Sequence, residues 1–291
     1  MKYKDSDIYI KREDLIPFSF GGNKVRIVRK AISDMESGGY DVLISYGSKS
    51  SNLNRAAAHL AASRGMACTV IFKEEEGQAK AGYASFNERL VRESGARTVC
   101  CRPDKVRETV EAELSRERSK GHRPYYIFGD STGRGHETVL MEAYTEAYDE
   151  IAAFEEERDI RFSNIFLASG TGLTQSALTA ASILRGRSAG QSISGISIAR
   201  SKEREIPIIK ENIELYLESK GRGELPIPEI DFEDGYVLGG YGRREEPIRE
   251  LCLDMMKKYG LPLDETYTGK AFYGMLGEIE KRRLHSPILF I

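Results

Sequence analysis

The sequence predicts an α/β protein, three-layered and built on mostly parallel strands, divided into two lobes. Three observations lead there. The chain has 291 residues, more than one domain of the usual 100–200 residues requires. Short β-rich runs alternate with longer amphipathic stretches, which is the rhythm of βαβ units. Turns rich in glycine and hydroxyl residues sit where predicted strands run into predicted helices.

Taken in order, residues 42–45 predict a strand, 52–63 a helix, 68–72 a strand, 79–93 a helix, 96–100 a strand and 106–118 a helix. The alternation resumes with a strand at 125–128, a long helix over 137–155, a strand at 164–168, a helix over 174–184, a strand at 192–198 and a helix over 203–218. Between 221 and 242 the chain carries Pro226, Pro228 and the pair Gly239-Gly240, which predicts an irregular loop. Two helices and an apolar strand at 287–291 follow. The last residue falls inside that strand, so the natural chain is expected to extend further.

Charge is nearly balanced, 43 Lys and Arg against 45 Asp and Glu, so the chain offers no overall positive field for nucleic acid or an anionic membrane. No run of about 18 apolar residues is present, and the opening Met1-Lys-Tyr-Lys-Asp lacks the apolar core of a secretion signal. The expected setting is cytoplasmic and the expected partner a small molecule. Cys68, Cys100, Cys101 and Cys252 show no metal-ligand spacing and are expected to be reduced thiols in or near the core. His59, His122, His136 and His285 form no pair at metal spacing, so no metal site is expected.

Four segments could carry chemistry. In Phe20-Gly-Gly-Asn-Lys24, glycines would let the backbone approach a ligand and set Lys24 near a helix N-terminus. A shielded lysine at the positive end of a helix loses proton affinity and becomes a nucleophile; a solvated lysine after an ordinary turn is the alternative. Ser45-Tyr-Gly-Ser-Lys-Ser-Ser51-Asn52-Leu-Asn-Arg55 joins a strand to a helix and gathers hydroxyls, amides and free helix N–H groups suited to a carboxylate. Plain helix capping is its alternative. Ser169-Gly170-Thr171-Gly172-Leu173-Thr174 is again strand, turn and helix, and successive N–H groups in such a turn make a nest for phosphate. It lacks the Gly-Lys-Ser/Thr of ATP-binding loops and the three spaced glycines of dinucleotide folds. Last, Tyr241 stands among Gly239, Gly240 and Gly242, and Tyr267 precedes Thr268-Gly-Lys270; these tyrosines either pack on the core or aim phenols at a cleft.

In this order the four segments resemble the pyridoxal-phosphate enzymes of the 1-aminocyclopropane-1-carboxylate deaminase and D-cysteine desulfhydrase family, within the tryptophan-synthase-β-like group. The resemblance runs from about Ile8 to Ile291; Tyr9-Ile-Lys-Arg-Glu-Asp-Leu before Gly-Gly-Asn-Lys24 matches the family's entry to its cofactor lysine, and Tyr267-Thr-Gly-Lys-Ala-Phe-Tyr-Gly its late cofactor segment. It implies a fold-type II architecture, with a large lobe of residues 1–40 and 150–291 and a small lobe of 41–149. It also implies a homodimer and pyridoxal 5'-phosphate as cofactor. Lys24 would hold that cofactor covalently, Asn52 would hydrogen-bond its ring oxygen, and Ser169, Gly170, Thr171, Gly172, Leu173 and Thr174 would cradle its phosphate. Ser51 would meet the substrate carboxylate, and Tyr241 and Tyr267 would assist proton movement. Thr268 would face the ring nitrogen where the cyclopropane deaminases carry glutamate, which points to desulfhydrase-like β-elimination from a small amino acid.

The sequence departs from the family at Leu53, where a histidine usually follows Ser-Asn, at Ile27, and at Leu173, Ser176 and Ala177; Gly129-Asp-Ser-Thr-Gly133 also differs. A β-replacement synthase, a racemase and a noncatalytic ligand-binding relative therefore stand beside the elimination reading.

Overall fold

The computed structural model describes residues 1–74, 84–284 and 287–291. The chain opens with β1 (Lys2–Tyr3) and β2 (Ser6–Ile10), makes a single 3-10 turn at Glu13–Leu15 and enters α1 (Asn23–Gly38). There follow β3 (Val42–Gly47), α2 (Asn52–Ser63), β4 (Ala67–Lys73), α3 (Phe86–Glu93), β5 (Arg97–Cys101), α4 (Val106–Ser119) and β6 (Pro124–Tyr126). Then come α5 (Glu137–Arg158), β7 (Asn164–Ser169), α6 (Leu173–Leu184), β8 (Ser192–Ser197), α7 (Lys202–Ser219) and β9 (Phe232–Glu233). The chain closes with α8 (Glu246–Tyr259), α9 (Thr268–Arg282) and β10 (Ile288–Phe290). The helix expected over 79–93 appears as α3; its expected residues 79–83 lie outside the described residues, as does His285. The loop expected over 221–242 contains the short strand β9, which adds to the edge of a sheet beside β8.

Packing groups the chain into two units, Glu13–Ala143 and Met1–Arg12 with Tyr144–Ile291. This grouping differs from the lobes expected from sequence at residues 13–40 and 144–149. The reason for the first difference is local, because α1 packs along α2.

Within Glu13–Ala143 the four strands run in the order β5-β4-β3-β6 and pair in parallel. Neighbouring residues on a strand face opposite ways, and β3 shows it. Ile44 joins Ile71, Tyr126, and Val110 and Leu114 of α4 in one apolar cluster, whereas Ser45 Oγ donates to Asn54 Oδ1 of α2 at 3.0 Å. Helices therefore cover both faces, giving three layers. On the edge strand β5, Cys101 is buried and Cys100 exposed, a correction to the expectation that both thiols lie in or near the core.

The other unit has the order β1-β2-β10-β7-β8-β9. β1 pairs antiparallel with β2, the other pairings among the described residues of this sheet are parallel, and β10 lies between β2 and β7 with Ile288 opposite Ile8 and Asn164. On one face Phe166, Ile196 and Phe290 pack with Ala271, Phe272, Met275 and Ile279 of α9 and Met255 of α8. On the other, Gln175 of α6 donates to Ile193 O at 3.0 Å and to Asp231 O at 2.7 Å, close enough that a side chain at Gly195 would collide with it. This unit too is three-layered.

The strand-to-helix turns that sequence singled out, β3 to α2 and β7 to α6, both lie at carboxyl ends of parallel strands. Ligands bind at that end of such sheets.

Candidate active site

Lys24 stands in the first turn of α1. The turn before it is built from left-handed backbone at Phe18, Ser19, Phe20, Gly21 and Gly22. The 3-10 turn anchors it: Glu13 O accepts the Gly22 N–H at 2.8 Å, and the buried Glu13 carboxylate takes Arg26 of α1 in a two-pronged pair at 2.6 and 3.0 Å. Gly22 leaves the helix start with no side-chain cap. The Lys24 amine makes no ion pair among the described residues, and burial lowers its pKa from the ordinary lysine value to about 8. At neutral pH a larger share of that amine is unprotonated than in a solvated lysine, which is what a nucleophile needs.

Ser51 caps α2, its Oγ accepting the Asn54 N–H at 3.2 Å. That bond uses a lone pair and leaves the hydroxyl hydrogen free to donate. Asn52 is exposed, but its Oδ1 accepts from Arg55 Nη1 at 2.7 Å and from Asn87 Nδ2 at 3.0 Å. Two donors on the oxygen fix the amide's orientation and leave Nδ2 able to donate elsewhere.

Arg55 organises this corner. It is 7% exposed, and its partners are the neutral oxygens of Asn52, Asn87 at 2.9 Å and Ser19 at 3.3 Å. Its guanidinium also lies over the Phe20 ring at 5.4 Å. Ser19 and Phe20 belong to the turn before Lys24, so Arg55 ties that turn to the helix start bearing Ser51 and Asn52.

In the other unit, the turn after β7 has Ser169 buried at its start, with Oγ lacking any hydrogen-bond partner among the described residues. Gly172 caps α6 in left-handed conformation, φ 74°, with no side-chain cap. A Cβ there would meet Ile209 Cγ1 at 2.7 Å, so both conformation and space demand glycine. The first N–H groups of α6 are left for something other than a capping side chain. Buried Glu205 lies behind this turn, and Arg200 balances it through a 2.8 Å bond to Oε2.

The Tyr241 and Tyr267 hydroxyls meet at 2.6 Å. Burial, then the bond to Tyr241, raises the Tyr267 pKa well above the usual phenol value. One hydroxyl donates and the other accepts, so the pair can pass a proton while both stay neutral. Thr268 is held by Asp264, a partner that the sequence did not suggest. Its Oγ1 donates to Asp264 Oδ1 and accepts the Asp264 N–H, both at 2.8 Å. The Asp264 carboxylate also takes the N–H groups of Thr266, Tyr267 and Thr268 at 2.9 Å. A group facing Thr268 would find a spare lone pair, and would receive a proton from this hydroxyl only if Asp264 released it.

The family model for pyridoxal-phosphate-dependent enzymes matches residues 2–291. The chain belongs to this family. A D-cysteine desulfhydrase of Yersinia pestis (strain Pestoides F) is 30% identical over 295 residues, covering 99% of this chain and 86% of the relative. The crystal structure of an ACC deaminase homologue superposes with a TM-score of 0.83 at 26% identity, covering 98% of this chain and 83% of that one. An O-ureido-L-serine synthase shares the fold, with a TM-score of 0.62 at 16% identity, 100% of this chain and 84% of that one being covered. The protein is thus a pyridoxal-phosphate-dependent enzyme of the fold-type II class.

The residues present fit that cofactor. Ser169 Oγ is a buried hydroxyl without a partner, and the uncapped start of α6 supplies N–H donors, which together suit a phosphate. Lys24 supplies a shielded amine with lowered proton affinity. Sequence reasoning missed the parts played by Arg55, Asn87, Glu13 with Arg26, and Asp264. Asn52 and Arg55 are three apart on one helix, a spacing that places side chains together. Asn87, 35 residues further along, gave no signal.

Among the described residues no group of three His, Cys, Asp or Glu side chains is placed to hold a metal, and no helix is long and apolar enough to cross a membrane.

Proposed function

We propose that this enzyme carries out β-elimination on a small amino acid bearing a leaving group on its β-carbon, with D-cysteine as the leading substrate. The observation that carries the proposal is the phenol pair at 2.6 Å, supported by the name and near full-length similarity of the Yersinia relative.

Pyridoxal phosphate, when bound, draws electrons away from the α-carbon and so stabilises the negative charge left by a departing proton. The protein's own residues have separable tasks. Lys24 would hold the cofactor covalently, and its free amine would serve as the base for the α-proton. Ser51 donates its hydroxyl hydrogen to the substrate carboxylate, beside the free N–H groups at the start of α2. Asn52 would offer Nδ2 to the ring oxygen. Ser169 to Thr174 would take the phosphate. Thr268, set by Asp264, would face the ring nitrogen. The Tyr241 and Tyr267 pair would relay a proton to the sulfur as the carbon–sulfur bond breaks, taking one back from water so that both phenols stay neutral. With D-cysteine and water the products are pyruvate, ammonia and hydrogen sulfide. A cytoplasmic homodimer completes the proposal on the strength of the family resemblance, and light scattering behind a sizing column reads the oligomer.

The test is to incubate the cofactor-loaded enzyme with D-cysteine, L-cysteine and O-acetyl-L-serine, measuring keto acid and, from the cysteines, sulfide. Keto acid and sulfide from D-cysteine at a higher kcat/KM than from the other two is the expected result. Turnover only when a second nucleophile is added would identify a β-replacement synthase, and inversion of the α-carbon without keto acid a racemase.

A further inference from the structure

The segment before α8 adopts left-handed backbone at Leu238, Gly239, Gly240 and Gly242, with φ values of 38°, 50°, 105° and 69°. Leucine has a Cβ that opposes this conformation, so something else must hold the segment. Lys270, in the first turn of α9, is 0% exposed. Its Nζ donates to Val237 O at 2.7 Å, Leu238 O at 3.3 Å and Gly240 O at 2.6 Å. An ammonium has three donors, and all three go to carbonyls of this one segment. Among the described residues no carboxylate pairs with Lys270, and burial lowers its pKa against the opposing field of Glu245. A buried charge is costly unless its hydrogen bonds are complete, and here the backbone completes them.

The two ends of this clasp are the two tyrosines. Tyr241 directly follows the clasped carbonyls, and Tyr267 lies three residues before Lys270, a spacing that puts both on one side of the helix start. The 2.6 Å bond between their hydroxyls therefore spans elements that the lysine joins.

We propose that Lys270 is a positioning residue, a built-in cation that folds residues 237–240 and thereby sets Tyr241 against Tyr267 for proton delivery. Its catalytic half rests on the reading that this pair handles a proton, whereas its anchoring half does not.

The experiment compares cofactor-loaded parent enzyme with Lys270→Met, Tyr241→Phe and the double variant. Arg243 and Arg244 are exposed, so trypsin reports on the segment without any turnover. Loss of the clasp is expected to speed cleavage there by about tenfold or more, while the cofactor absorption band persists. With substrate, Lys270→Met is expected to lower kcat about 10–100-fold with KM little changed. The double variant should be no slower than Tyr241→Phe, because both changes remove the same interaction. Added methylammonium should restore part of the lost kcat in Lys270→Met and none in Tyr241→Phe. Lys270→Arg, which keeps the charge but not the three-donor geometry, should show the same pattern more weakly and serves if the methionine variant does not fold. Unchanged cleavage at Arg243 and Arg244 would overturn the anchoring, and losses that multiply in the double variant would overturn the action through Tyr241. Absence of elimination in the parent itself would count against the proposed reaction, leaving the protease result to judge the clasp.

Discussion

At the start of α2 the protein supplies partners for its own polar groups: Asn52 Oδ1 has two donors, and Arg55 reaches Ser19, Asn52 and Asn87. At the start of α6 it does not, for Ser169 Oγ is buried without a partner and Gly172 leaves the helix uncapped. The first region is preorganised by side chains, so its donors already point as needed when a ligand arrives. The second is left incomplete by the protein's own side chains among the described residues, and bears a desolvation cost. An internally satisfied corner fixes orientation, and an unsatisfied one provides affinity.

Substitutions can break or sharpen this contrast. The largest effect is expected at Lys24, whose amine makes no ion pair among the described residues: Lys24→Ala should lower kcat by about 10⁴-fold, read with D-cysteine under saturating cofactor. Next, Arg55→Met should loosen the preorganised corner, weakening cofactor binding about 10–100-fold, because Asn52 loses one of the two donors that fix its amide and Asn87 loses its link to Arg55. Equilibrium titration with pyridoxal phosphate measures it, and unaltered affinity would remove Arg55 from the account. Gly172→Ala should destabilise the fold by roughly 1–3 kcal/mol through its positive φ and the contact with Ile209, seen as a lower denaturation midpoint even without cofactor. The smallest and most discriminating change is Ser169→Ala. It should leave the cofactor-free protein as stable as the parent or slightly more so, while weakening cofactor affinity about fivefold to tenfold. Loss of stability without cofactor would mean the hydroxyl has a structural partner.

The parallel sheets were legible because apolar runs such as those at 42–45 and 164–168 alternate with helical periodicity, and the two glycine and hydroxyl turns were legible because they interrupt it. The unit boundary was not. Residues 13–40 were expected with the large lobe, yet α1 packs on α2, a tertiary preference that no local pattern encodes. Among site residues, lysine, serine and glycine announced themselves through turn chemistry. Asn87 and Lys270 did not, since one acts across 35 residues and the other binds backbone carbonyls that any sequence would offer. Thr268 was visible as a residue, but its engagement by Asp264 became apparent only from the hydrogen bonds that start α9.

The central claim is that Lys24 is the cofactor's covalent anchor, and borohydride reduction of the protein loaded with pyridoxal phosphate tests it most directly. Because burial sets the Lys24 pKa at about 8, its reactive neutral form grows as pH rises through 8, and the initial rate of attachment should rise with it. Peptide mass analysis is expected to find one phosphopyridoxyl group per chain, on Lys24, and none on a Lys24→Ala variant. A label on another lysine, or no label on the parent enzyme, would contradict the account.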